Sequence, residues 1–211
     1  MPPTAGPPAG FDAAGYVQID LERGELGTRD GGSRRHVMIP IDVLTTLARA
    51  ATDREGGTAA MYAAGRSWGE GLGDAIARDL AREGAAARDS TPQAFADRLC
   101  GAFAAMGWGR TVIETWGAGL VVLMRGLPGQ GAGPERHVIA GALAGIVSTI
   151  AGRQFACAVV DRGMQSGEAR FFLGAPRAVK AARRWHDEGG ASVGEIVSRL
   201  MAGGAQKESG A

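Results

Sequence analysis

Residues 110–125, RTVIETWGAGLVVLMR, read as two strands, 110–116 and 119–125, joined at Gly117-Ala118. A two-residue connection of small residues is what a tight antiparallel hairpin uses. The second arm, LVVLM, is β-branched and apolar enough to lie in the middle of a sheet. Upstream, Ser90 or Thr91 caps a helix with Pro92 in its first turn. Phe95, Leu99, Cys100, Phe103 and Met106 form its apolar stripe, and Gly107 ends it. Downstream, LPGQGAGPE is a loop. Residues 135–151 then form a nearly all-apolar helix that must be buried. Strands at 154–161 and 168–173 make a second hairpin.

Farther out the same alternation of hairpins and helices continues. Residues 15–21, GYVQIDL, alternate apolar and polar side chains; GELGTRDGGS is turn-rich; residues 35–39, RHVMI, are apolar again. This reads as a hairpin with a long loop. Pro40 ends its second strand, and Asp42 caps a helix with Val43, Leu44 and Leu47 on its buried face. A longer helix spans residues 58–82. Near the end of the chain Pro176 opens a short basic amphipathic helix, and Ser192 with Glu195 makes a capping box for the last one. Few parallel βαβ cues occur. The order predicts an α+β domain of antiparallel hairpins packed with a helical layer that includes one buried, Gly-rich helix. Residues 1–14 and 204–211 read as disordered tails, 15–176 as the domain and 177–203 as a helical extension.

Composition narrows the function classes. Lys plus Arg number 23 against 22 for Asp plus Glu, so the net charge of +1 gives no electrostatic reason for a nucleic-acid partner. The opening MPPTAGPPAGFDAAG lacks the basic and apolar regions of a signal peptide, which places the chain in the cytoplasm. No apolar run is long enough to enter a membrane. Cys100 and Cys157 stand apart with no CxxC pairing, so neither a disulfide framework nor a zinc site is expected from them.

Catalysis needs groups with complementary roles within hydrogen-bonding reach. His36 falls on a strand, His137 in the first turn of the buried helix and His186 beside Asp187, with no HxxxH or HExxH spacing, and a structural role is expected of each. Cys157 lies between Ala156 and Ala158, where nothing lowers a thiol pKa. The loop GQGAG, residues 129–133, precedes a helix but lacks the Lys-Ser/Thr pair of a phosphate loop, and reads as a mobile loop. No catalytic set and no cofactor are expected.

Glycine and tryptophan carry the remaining signal. Gly65, Gly69 and Gly73 recur every fourth residue in the long helix, and Gly141 and Gly145 repeat the spacing in the buried one. Three missing side chains on one helix face let another backbone approach closely. Keeping them there costs about 1 kcal/mol each against alanine. Arg66, Glu70 and Asp74 in the same turns exclude a membrane zipper. Close helix packing is the plain reading, and a ligand groove the other. Trp68, Trp108 and Trp116 are large rings near these helices, suited to wall an apolar pocket.

The segments MYAAGRSWGEGL (61–72), AMGWGRTVIE (105–114), HVIAGALAGIVSTIAGRQF (137–155) and VVDRGMQSGEARFFLGAP (159–176) resemble the 4-vinyl reductase domain family, whose members share the fold of the small TRAPP vesicle-tethering subunits. The resemblance covers about residues 15–176. It implies a pocket for a hydrophobic small molecule and often a dimer. It also implies a zinc site in the last hairpin: the family's acidic ligand matches Asp161, while its cysteine positions fall near Gly163, Met164, Ala169 and Arg170. On that match the zinc site is lost. The resemblance also implies, as an alternative from the enzyme class, an accessory protein or reductase of (bacterio)chlorophyll tetrapyrrole biosynthesis, for which the family's name is not itself evidence.

MGWGRTVIE, RGLPGQGAG (125–133) and ALAGIVSTIAGRQF (142–155) are also similar to the D subunit of bacterial cellulose synthase operons, a non-catalytic oligomeric scaffold. Its members are shorter and leave the first hairpin and the stretch after Pro176 unexplained. The combined expectation is a non-catalytic ligand-binding or scaffold domain, homo-oligomeric, in which Trp68, Trp108 and Trp116 with the faces of Gly65, Gly69, Gly141 and Gly145 shape an apolar cavity or a dimer contact.

Overall fold

The computed structural model describes residues 11–28, 36–82, 90–116, 119–128, 133–160 and 167–208. The elements in chain order are β1 (Val17–Asp20), β2 (Glu25–Thr28), α1 (Ile41–Thr52), α2 (Gly57–Arg82), α3 (Pro92–Ala105), β3 (Arg110–Trp116), β4 (Gly119–Arg125), α4 (Glu135–Ala151), β5 (Ala156–Val159), β6 (Glu168–Gly174), α5 (Pro176–Gly189) and α6 (Val193–Glu208). The fold is α+β, with two antiparallel sheets.

The larger sheet has the order β3-β4-β6-β5 and is antiparallel throughout. Apolar β4 and β6 take the two central places, with Val121 opposite Phe172 and Val122 opposite Phe171. Side chains alternate between faces along each strand, so these pairs serve two cores. Val122, Met124, Phe171 and Leu173 point to one face and meet Leu72, Leu80, Leu99, Phe103, Ile139 and Leu143 of α2, α3 and α4. Val121, Ala158 and Phe172 point to the other and meet Val179, Ala182, Ile196 and Val197 of α5 and α6. A sheet this apolar on both faces has to be covered on both. The sequence reading of one helical layer plus an extension from residue 177 therefore becomes two helical layers, the second built by α5 and α6.

Local signals explain the elements that matched. The Thr91 hydroxyl accepts from Ala94 N at 3.1 Å and Pro92 follows at the first helical position. Gly152 ends α4 at φ 62°. Ser192 and Glu195 form a reciprocal box: Ser192 N donates to the Glu195 carboxylate at 2.7 Å and Glu195 N to Ser192 Oγ at 3.4 Å. The first hairpin differs from its reading. Gly24, at φ 62°, turns the chain early, so the strand partner is Glu25–Thr28. Residue 36 adds only a single bridge to Leu26. Asp42 also does not cap α1, whose N-cap is Pro40 with no side-chain bond. Of the tails assigned to 1–14 and 204–211, residues 1–10 and 209–211 lie outside the described residues, as do 117–118 of the β3–β4 connection and 129–132 of the loop. Phe11, assigned to the first tail, packs on the core, and α6 runs on to Glu208. No helix among the described residues is long and apolar enough to cross a membrane.

α2 and α4 pack backbone to backbone. A Cβ on Gly65 would strike the carbonyl of Val138, one on Gly69 that of Ala142, one on Gly141 that of Tyr62 and one on Gly145 that of Arg66. Neighbouring polar groups hold the contact in place. Arg66 donates to the Phe155 carbonyl at 3.2 Å and to Glu70 at 3.1 Å. The Tyr62 hydroxyl accepts from Cys157 N at 3.2 Å, tying α2 to β5.

Two outcomes follow from these contacts. Gly69→Ala forces two backbones apart and is expected to destabilise the fold by about 2 kcal/mol despite alanine's better helix propensity. Gly194→Ala in α6, where an added Cβ meets nothing within 4 Å, is expected to stabilise by up to about 1 kcal/mol; thermal melts of the two variants read the opposite signs. The bonds from Ser192 lower the Glu195 carboxyl pKa below its usual value. A carboxylate whose folded pKa is depressed stabilises above its unfolded pKa and loses that effect as pH falls through the folded one. Ser192→Ala removes the hydroxyl bond and keeps the backbone N–H bond, the larger cause, so the Glu195 titration, followed by NMR, should move only part of the way back toward the ordinary range.

Candidate functional site

The residues singled out in the sequence separate into three places. Trp68 of α2 and Trp108, just before β3, come together with ring centroids 5.5 Å apart, and Trp68 also meets Phe103 of α3 edge-on at 5.9 Å. Trp116 is elsewhere. It ends β3 at 37% exposure, outside both cores, and its indole N–H donates to the Glu114 carboxylate at 2.9 Å. The structure thus joins two of the three tryptophans and leaves the third at the hairpin tip.

Gly65, Gly69, Gly141 and Gly145 occupy the α2–α4 seam, each against the opposite backbone. A ligand has no room there. These glycines act on a site only by fixing how closely α2 approaches α4, which replaces the expectation that their faces line a cavity.

On the other flank of α2 lies a cleft the sequence reading missed. Ala75, Ile76 and Asp79 of α2, Arg98 and Ala102 of α3, and Phe11 and Tyr16 from the N-terminal segment line it. Trp68 precedes Ala75 by two turns of α2, so the Trp68–Trp108 group stands about 10 Å from the cleft along that helix. Its space is no more than about a water molecule's. The Arg98 guanidinium, buried to 6% exposure, stands 2.8 Å from the Asp79 carboxylate. A charge buried this far needs such a partner. The sequence does hold a signal for it: Arg98 sits inside the apolar stripe of Phe95, Leu99, Ala102 and Phe103, where a solvated charge has no place.

The titratable groups elsewhere offer little chemistry. Burial, with Asp97 adding to it, pushes the Cys100 thiol up to about 12, and burial raises Cys157 well above its ordinary value. Neither supplies a thiolate near neutral pH. Burial, then Cys157, raises the Tyr62 hydroxyl against the lowering effect of its hydrogen bond from Cys157 N and of Arg66. His36, His137 and His186 stand on separate elements, with His186 Nδ1 3.0 Å from Asp187. No group of three His, Cys, Asp or Glu side chains among the described residues is placed to hold a metal. Of the positions matching the family's zinc ligands, Asp161, Gly163 and Met164 lie outside the described residues. Ala169 is buried in the first core and Arg170 is on β6; neither side chain is a zinc ligand.

No protein-family model matches the chain, and no curated protein sequence matches it. Solved structures do. A vinyl-4-reductase family protein from Methanocaldococcus jannaschii is similar over 65% of this chain and 82% of its own, at 17% identity and a TM-score of 0.44. The phenol-responsive sensory domain of the transcription activator PoxR, solved with phenol, is similar over 75% of this chain and 84% of its own, at 13% identity and a TM-score of 0.56. At that identity the likeness establishes the fold: this chain shares its α+β architecture with a sensory domain.

Proposed function

We propose that this chain is a non-catalytic domain that binds an apolar, aromatic small molecule at the α2–α3 seam. The observation that carries the reading is the seam itself. Trp68, Phe103 and Trp108 pack edge-on and tilted against one another, and two turns farther along α2 lies a cleft with apolar walls and one buried ion pair. A concave apolar wall with a few fixed polar groups is the usual form of a small-molecule site. The raised thiols and scattered histidines supply no nucleophile or proton shuttle beside it. A sensory domain of the same fold that responds to phenol supports the reading. The domain works in the cytoplasm and without zinc, since the matched cysteine positions hold Gly163, Met164, Ala169 and Arg170.

The protein is also a homo-oligomer in this reading. Val37 and Met38 are 80% and 83% exposed, and Ile39, Ile41, Val43 and Leu47 continue the apolar surface onto α1. Exposed apolar side chains concentrated at residues 37–47 call for a cover, which a second copy of the chain can supply. A ring-shaped, ligand-free assembly would instead favour a scaffold of the cellulose D-subunit kind.

Titration with small aromatic compounds is expected to change the tryptophan emission, and Trp68→Phe to remove most of that change while Trp116→Phe removes little. Emission unmoved by every compound overturns the ligand-binding reading. Light scattering after gel filtration is expected to show a dimer that Met38→Glu with Leu47→Glu turns into a folded monomer; a monomeric native chain overturns the oligomer.

A further inference from the structure

Two rings, Phe11 and Tyr16, line the cleft between α2 and α3 and leave it no more than about a water molecule's space. Residues 12–16 form a tight turn, with Gly15 N donating to the Asp12 carboxylate at 3.3 Å and Tyr16 N to the Ala13 carbonyl at 3.4 Å. The turn brings Phe11 and Tyr16 together at 4.9 Å between centroids. Phe11 lies flat on α3 at Gly101, where an added Cβ would run into the ring. Tyr16 is buried to 8% exposure. Both rings line the cleft with Asp79 and Arg98.

The polar floor selects what else fits there. Asp79 and Arg98 neutralise each other, so an anion or a cation entering the cleft meets no net opposite charge and loses its hydration. A neutral hydroxyl does not carry that cost. A carboxylate has about four lone-pair directions, so Asp79 can accept from an incoming hydroxyl while it holds Arg98. The walls, Ala75, Ile76 and Ala102, suit a flat apolar ring.

We propose that the α2–α3 cleft is a binding site for a small neutral aromatic that carries a hydroxyl, and that Phe11 is its tethered internal occupant, displaced when the ligand enters. This rests on the small-molecule reading above and gives it a place, a ligand class and a moving part. The N-terminal turn then reports occupancy: a filled cleft expels Phe11 from Gly101, changing the surface next to the exposed first hairpin. A tethered competitor lowers apparent affinity by the fraction of time it leaves the site open.

Calorimetric titration of the full chain with p-cresol, toluene and benzoate tests this, beside Phe11→Ala and Gly101→Ala. The first variant removes the plug and the second removes its seat. The atoms facing Gly101 are Cγ and both Cδ of the Phe11 ring rather than backbone, so the whole ring has to move to admit a Cβ, and Phe11→Ala carries the test if Gly101→Ala does not fold. Both variants are expected to bind p-cresol about tenfold more tightly than the native chain, with toluene and benzoate weaker in all three. Equal p-cresol affinity in the three chains overturns the internal-occupant proposal while leaving a small-molecule site elsewhere on the domain. Toluene binding as tightly as p-cresol overturns the hydroxyl-reading floor. Absence of binding by all three compounds to all three chains, with no change in tryptophan emission for any other aromatic, overturns this proposal and the small-molecule reading together.

Discussion

The close approach of α2 and α4 is the contact on which the rest of the molecule depends. Gly65 and Gly69 on one helix and Gly141 and Gly145 on the other each face an opposing backbone rather than a side chain. Each glycine weakens its own helix by about 1 kcal/mol, and the cost is tolerated because alanine would push two backbones apart. The arrangement brings α4 flat onto the sheet through Ile139, Leu143 and Ile146, all fully buried. Arg66 and Tyr62 then hold α2 against the chain entering β5. α2 barely needs large side chains along this line, which leaves its neighbouring stripe free for other work.

That neighbouring stripe is where the candidate site forms. Trp68, Leu72, Ala75, Ile76 and Asp79 recur at helical spacing beside the glycines and turn toward α3. One edge of α2 is therefore spent on rigid contact, and the adjacent edge meets a helix and an N-terminal turn. The seam that results is walled by aromatic rings at one end and carries a paired charge at the other. The α2 wall is held by its contact with α4, and the turn opposite it by two local hydrogen bonds.

Much of the fold was legible because its signals are local. Thr91 and Pro92 start α3, the central hairpin pairs Trp116 with Gly119, and Gly152 stops α4, each acting within a few residues of itself. The first hairpin was misplaced for a reason equally local: Gly24 takes the left-handed conformation and turns the chain ahead of the longer turn-rich run. The glycine stripes were legible as close-approach faces, though not as partners of each other, since spacing on one helix does not name the helix it meets.

The site was legible only in its components. By itself the sequence determined the two hairpins of the larger sheet, the helices, the buried character of α4, the two glycine stripes and the presence of large rings, because periodicity, caps and turns are set by neighbours in the chain. Only the tertiary structure decided that Trp68 joins Trp108 while Trp116 stays apart, that Arg98 finds Asp79 on another helix, and that Phe11 crosses to Gly101. Those are contacts between residues far apart in sequence, and their geometry comes from how α2 is clamped against α4 and how the sheet carries α3 beside it.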